Sequence, residues 1–174
     1  MQGWRFSNHK KGKSLLIESS VEAAITKEYA TDAANPNFRI IIRNNLDEVE
    51  AAHYDQVGEY YNDKKNWNAI GDAYERAVAL VPYEFKYLRN LAFAYEKQNR
   101  WSDAVHYYER CIQTDTGKEN ARVHGALGAA YARTGHDNKA ITELEKALTF
   151  SLDMNLTEEL RKRLDILRAR TKNE

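Results

Sequence analysis

Few residues have the types and spacing for chemistry, and none of them assemble into a catalytic set. Gly12, Lys13 and Ser14 match the end of a phosphate-binding loop, where backbone amides and a lysine cradle phosphates. The upstream glycine such a loop needs is replaced by Ser7, and no strand precedes it. The five histidines, His9, His53, His106, His124 and His136, stand in no metal-ligand spacing; three read as helix residues and His136 as a turn residue. The single cysteine, Cys111, has no intrachain disulfide partner and occupies a position where alanine stands elsewhere, so it reads as a buried small residue rather than a nucleophile. No glycine elbow accompanies any serine, and the many carboxylates read as solvated helix faces. A non-catalytic protein without cofactor or metal is the expectation. Arg5, Lys10, Lys11 and Lys13 interleave with Trp4 and Phe6, a pattern able to contact RNA phosphates and bases. It supports an alternative reading as an RNA- or ribosome-associated assembly factor.

The elements that must position any site are helical. Eight glycines and two prolines among 174 residues are too few for a loop-rich or all-β chain. Lys plus Arg and Asp plus Glu are both 26, so no global field draws in nucleic acid or membrane. No segment approaches the roughly 20 apolar residues needed to span a bilayer. The expectation is a cytoplasmic or other reducing, soluble compartment.

Tyr61, Gly71, Tyr74, Ala77 and Pro82 recur 34 residues later as Tyr95, Val105, Tyr108, Cys111 and Thr116, with Trp67 and Trp101 also in register. A third copy has Tyr131, Gly135, Ala140, Leu144 and Ala147, displaced by two extra residues around Gly117. Such a period means stacked supersecondary units, because one unit cannot bury its own apolar face. Apolar spacing predicts a first helix from about Leu46 with Asp47 as N-cap, then helices near Trp67 to Leu80, Glu84 to Lys97, Trp101 to Gln113, Ala121 to Arg133 and Asp137 to Phe150. Lys65, Asn99 and Gly135 fall where each inter-helix turn needs positive φ. Leu156, Leu160, Leu164 and Leu167 form one stripe of a terminal helix, about 155–171, capped at Asn155 and suited to seal the last repeat. Residues 1–45 stand apart as an arm, partly helical or disordered. Ser14 to Ala30 has helical spacing there, Asn35 to Asn37 interrupt it, and Phe38 to Ile42 is strand-like in composition.

These residues resemble three tetratricopeptide repeats, at about 51–84, 85–118 and 121–154. The family's succession of large, small and aromatic positions is met by Tyr54, Val57, Gly58, Tyr61, Trp67, Ile70, Tyr74, Ala77 and Pro82. It is met again by Leu88, Leu91, Ala92, Tyr95, Trp101, Ala104, Tyr108 and Cys111, then by His124, Leu127, Gly128, Tyr131, Gly135, Ala140, Leu144 and Ala147. The resemblance implies an all-α, right-handed solenoid of three helical hairpins with a C-terminal capping helix, serving as a protein-binding scaffold, adaptor or assembly factor.

It further implies a concave groove lined by the first helix of each hairpin. The register puts Ala52, Asp55, Glu59, Asn62 and Asp63 there from the first repeat, Lys86, Arg89, Phe93, Glu96 and Lys97 from the second, and Arg122, Gly125, Ala129, Ala132 and Arg133 from the third. Gly125, Ala129 and Ala132 leave room beside Phe93 for an apolar ligand group, unless the chain's own arm, with Phe38 to Ile42, or an added helix fills it. The positions of the family's carboxylate clamp, which holds a heat-shock chaperone tail, are occupied here by Asp55, Glu59, Asn90, Arg122 and Ala126. Only Asn90 and Arg122 fit, and two carboxylates stand where cations are needed, so a chaperone tail is disfavoured.

Overall fold

The computed structural model describes the backbone of residues 36–172 and the side chains from Leu46 onward. Seven helices follow in order: α1 (Pro36–Asn62), α2 (Trp67–Leu80), α3 (Phe85–Lys97), α4 (Trp101–Cys111), α5 (Ala121–Arg133), α6 (Asp137–Phe150) and α7 (Met154–Thr171). Among the described residues there is no strand. The residues from Tyr54 onward make one compact unit; those up to His53 belong to another, and the division falls inside α1. The basic tail, Gly12 to Ser14 and the Ser14 to Ala30 stretch lie outside the described residues.

Within the second unit the three sharp turns are chemically alike. Lys65, Asn99 and Gly135 hold φ of 51°, 60° and 78°. In each turn an amide reaches back five residues to a tyrosine carbonyl: Asn66 to Tyr61, Arg100 to Tyr95 and His136 to Tyr131, at 3.2, 2.9 and 2.9 Å. The residue before donates to the carbonyl three back, so all three are Schellman closures that satisfy the orphan carbonyls of the first helix. The recurring tyrosine therefore stands at a fixed point of helix termination, and its side chain then packs inward: Tyr95 and Tyr131 are buried.

Small residues set the closeness of the hairpins. A methyl group added at Gly58 would come within 2.6 Å of the Tyr74 ring, and one at Gly128 within 2.9 Å of Leu144. Ala77, Ala92, Ala104, Cys111, Ala140 and Ala147 are completely buried. Between these close approaches lie Leu88, Leu91, Leu127 and Leu144 as the bulk of the core. Tyrosine hydroxyls then donate from one helix to a carboxylate on the helix before: Tyr74 to Asp55 at 3.0 Å, Tyr108 to Glu96 at 2.9 Å, Tyr95 to Glu75 and Tyr131 to Glu109. Gly58→Ala should lower the unfolding free energy by about 1–2 kcal/mol, overpacking against Tyr74 outweighing the gain in helix propensity. Gly71→Ala meets only the end of Gln98 and should be nearly neutral. Urea unfolding of the two variants separates them.

Five local expectations need correction. The run Phe38 to Ile42 is helical, and Asp47 lies within α1 rather than capping it. Pro36 sits at the first helical position, where its missing N–H costs nothing, and no proline or glycine intervenes before Gly58; the modest penalty of three isoleucines does not break the helix. Helix α4 stops at Cys111 instead of Gln113, because the Thr114 amide and hydroxyl both donate to the Cys111 carbonyl, at 3.0 and 2.7 Å. The cap of α7 is Asp153, not Asn155: its carboxylate accepts from the amides of Asn155 and Leu156, and its charge favours the helix N-terminus. The terminal stripe is also narrower than expected. Leu160, Leu164 and Leu167 are buried, while Leu156 is only half-buried.

Candidate peptide-binding groove

A cavity of about 870 Å³ opens within the second unit. Its walls come from Gly58, Glu59, Asn62 and Asp63 on α1, and from Lys86, Arg89, Asn90, Phe93 and Glu96 on α3. Helix α5 adds Arg122, Val123, Gly125, Ala126 and Ala129, and α7 adds Leu156, Glu159, Leu160 and Arg163. The first helices of the hairpins present one face to the cavity because their opposite faces are consumed by Leu88, Leu91, Leu127 and their neighbours in the core. Ile70, Tyr74 and Tyr108 reach it from the second helices.

Ten of the fifteen residues expected from the register line this cavity, Glu59, Asn62, Asp63, Lys86, Arg89, Phe93, Glu96, Arg122, Gly125 and Ala129, and so do Asn90 and Ala126 of the clamp positions. Asp55 stands behind it, only 14% exposed at its side chain, accepting from Tyr74 and from Lys86 Nζ at 2.6 Å. Lys97 leans over the Phe93 ring at 4.7 Å, and Arg133 over the Trp101 ring at 5.2 Å. Arg133 and Ala132 line a separate small depression with Gly135, Asp137, Asn138, Arg170 and Thr171. Ala52 lies in the preceding unit.

Two features of the cavity were invisible in the register. The first is the part played by α7. Leu160 covers Gly125 so closely that an added methyl group would approach its Cδ2 to 2.9 Å, so Gly125 is buried and offers no floor space. Of the small residues, Ala126 and Ala129 remain partly open in the cavity. The second is the fate of Lys86. It bonds Asp55 at 2.6 Å and Glu59 at 3.0 Å, and these hydrogen bonds, Asp55's the stronger, hold it protonated above the ordinary lysine range. The carboxylates at the two clamp positions are thereby partly neutralised from α3. Burial, then the Asp55 charge, pushes the Tyr74 hydroxyl up to about 12, so it remains a donor to Asp55.

Phe93 is the apolar anchor point, 38% exposed and fixed edge-on to Trp67 with ring centroids 5.7 Å apart. Arg89 touches its own neighbour, Asn90 Oδ1, at 3.1 Å. Arg122 pairs with Asp153 at 3.1 Å, and Arg163 with Glu159 at 2.5 Å, all at exposed side chains. Cys111 is buried, and burial pushes its thiol up to about 12, far from the activated thiolate range. Among the described residues no group of three or more His, Cys, Asp or Glu could hold a metal ion, and no helix is long and apolar enough to cross a membrane.

Stacked helical hairpins around a mixed apolar and charged groove define an α-solenoid of the protein-interaction scaffold class. Residues 85–117 and 121–153 each match the tetratricopeptide repeat, so the chain carries tetratricopeptide repeats over these residues. Solved structures show the same fold. The TPR domain of Arabidopsis OM64 is 19% identical with a TM-score of 0.62, covering 68% of this chain and 96% of its own. The first TPR domain of Spaghetti (RPAP3), bound to the HSP90 peptide SRMEEVD, is 20% identical with a TM-score of 0.62, covering 70% and 95%. PcrH, in complex with the chaperone binding region of PopD, is 14% identical with a TM-score of 0.63, covering 69% and 92%. No curated protein matches the sequence.

Proposed function

We propose that this chain is a non-catalytic adaptor or assembly factor that binds a peptide or helix of a partner protein in the groove between α1, α3, α5 and α7. One observation carries the reading: Phe93, partly exposed and packed edge-on against Trp67, lies in a cavity of about 870 Å³ whose other walls mix charged side chains with apolar ones such as Ala126, Ala129 and Leu156. A cavity with an apolar anchor and convergent polar groups is the usual form of a binding site, and helix-in-groove or extended-peptide docking uses that form. The buried, protonated Cys111 and the paired carboxylates of Asp55 and Glu96 support a structural rather than catalytic use of the titratable groups.

A free C-terminal carboxylate of the kind offered by a chaperone tail is a poor fit. Asp55, Glu59 and Ala126 replace the cations and amide that would grip it, and Lys86 is already engaged by both carboxylates. The test is affinity capture with the intact chain, followed by titration of the captured partner. Phe93→Ala and the pair Arg89→Glu with Arg122→Glu should each weaken binding about tenfold or more. Unchanged affinity in both would place the partner outside the groove.

A further inference from the structure

The groove's charges are not interchangeable once the internal pairs are removed from consideration. On the α1 side, Asp55, Glu59 and Asp63 face one cation, Lys86, which both Asp55 and Glu59 already hold. That side keeps an excess of negative charge. On the other side three arginines converge from three helices: Arg89 of α3, Arg122 of α5 and Arg163 of α7. Their carboxylate partners are Asp153 and Glu159, and the remaining carboxylate of α3, Glu96, is taken by the Tyr108 hydroxyl and Lys97, so this side keeps an excess of positive charge. Among the described residues Arg89 meets the Asn90 amide oxygen and no carboxylate partner, and its guanidinium lies 5.8 Å from the Phe85 ring. The Arg122 pair is 76% and 44% exposed and the Arg163 pair 45% and 56% exposed. Exposed pairs of this kind contribute little because water and salt screen them, so an incoming carboxylate can join or replace their partners at little cost. A guanidinium can also take two carboxylates at once through its separate N–H edges.

We propose that the groove selects an amphipathic peptide in one polarity, with internal Asp or Glu side chains over Arg89, Arg122 and Arg163, a Lys or Arg over Glu59 and Asp63, and an apolar residue between them on Phe93 and Ala129. This rests on the groove reading above and adds to it the chemistry and direction of the occupant. It also gives α7 a second task. Leu164 and Leu167 seal the core, Leu160 is buried at the edge of both core and cavity, and Leu156 and Arg163 line the cavity, so the helix outside the repeats supplies one of the three selecting cations. Aligned opposite charges steer encounter and reject the reversed orientation, because reversal would set carboxylates against Glu59 and Asp63.

The experiment is selection of a random-peptide phage library on the full chain. The most enriched peptide is then synthesised with an amidated C-terminus and a fluorescein label, and titrated by anisotropy. The expected result is a pool with acidic residues at one end and basic residues at the other, flanking a large apolar residue. Binding of the amidated probe should weaken about tenfold with Arg163→Glu and also on charge-swapping the peptide ends. Circular dichroism melts of Arg163→Glu, a change at an exposed position, show that the loss is not unfolding. A pool without charge bias, or a probe insensitive to Arg163→Glu but lost with Phe93→Ala, overturns this proposal while leaving the groove reading standing. A probe that needs its free terminal carboxylate overturns it as well. No enriched peptide, or a probe indifferent to Phe93→Ala and to the Arg89→Glu, Arg122→Glu pair, overturns both.

Discussion

His124→Leu is expected to lower the unfolding free energy by about 3 kcal/mol, because it strands a carboxylate in the core. His124 and Glu143 are only 3% and 7% exposed. The ring's Nδ1 lies 2.6 Å from Glu143 Oε2 and its Nε2 2.9 Å from the Lys118 carbonyl, so one side chain joins α5 to α6 and to the connection before α5. Removing it leaves Glu143 with Lys146, at 2.8 Å and half exposed, and leaves the Lys118 carbonyl without its ring partner. Leucine itself is accommodated, since Phe150 already packs 5.4 Å from the ring. The cost is therefore polar rather than steric, and the double variant His124→Leu with Glu143→Leu should recover more than half of it. Urea midpoints at constant m-value measure both. A single variant as mild as Lys146→Met, or a double variant no better than the single, would contradict this account. The effect should extend to the proposed groove, because Val123 and Gly125, on either side of His124, are among the residues around the cavity.

How far the sequence revealed this molecule follows from the range of the interactions. Lys65, Asn99 and Gly135 were readable as left-handed turn positions because a helix end is a local event, decided within six residues. The 34-residue period was readable because each hairpin must bury the same kinds of face. The start of α1 was not, since isoleucines after a proline suit a strand by composition, and only a continuous backbone ladder overrides that weak preference. The groove was half legible. Register named Arg89, Phe93 and Arg122, but it treats each helix alone. It could not show Lys86 of α3 crossing to Asp55 and Glu59 of α1, nor Leu160 closing over Gly125. The signal that could have found α7's contribution was its stripe. Leu156 lies one turn before Leu160, at the end of the helix that meets the groove, and Arg163 follows one turn after Glu159.

The connection between α4 and α5 gives the second large effect. By sequence, its two extra residues read as a passive lengthening, and a longer surface loop alone costs little. The structure instead winds it tightly. Gly117 is buried, its amide donates to the Thr114 carbonyl and hydroxyl at 3.1 and 3.0 Å, and its own carbonyl accepts from Asn120, the residue whose side chain caps α5. A Cβ at position 117 would stand 1.8 Å from the Cys111 carbonyl oxygen and 2.6 Å from its carbon. Those are backbone atoms of a helix end whose side chain is completely buried, so they cannot swing aside as a flexible side chain could. Gly117→Ala should therefore cost about 3 kcal/mol, at the upper end of overpacking. Thr114→Ala, which removes hydrogen bonds but adds no atoms, should cost about 1 kcal/mol. Thermal melts rank the two, and amide exchange of Val123 and His124 should quicken first in Gly117→Ala, because their amides bond to Asn120 at the loop's end. Equal stability of Gly117→Ala and the parent would mean that the loop repacks freely. The position of Arg122, in the first turn of α5, would then owe nothing to the insertion.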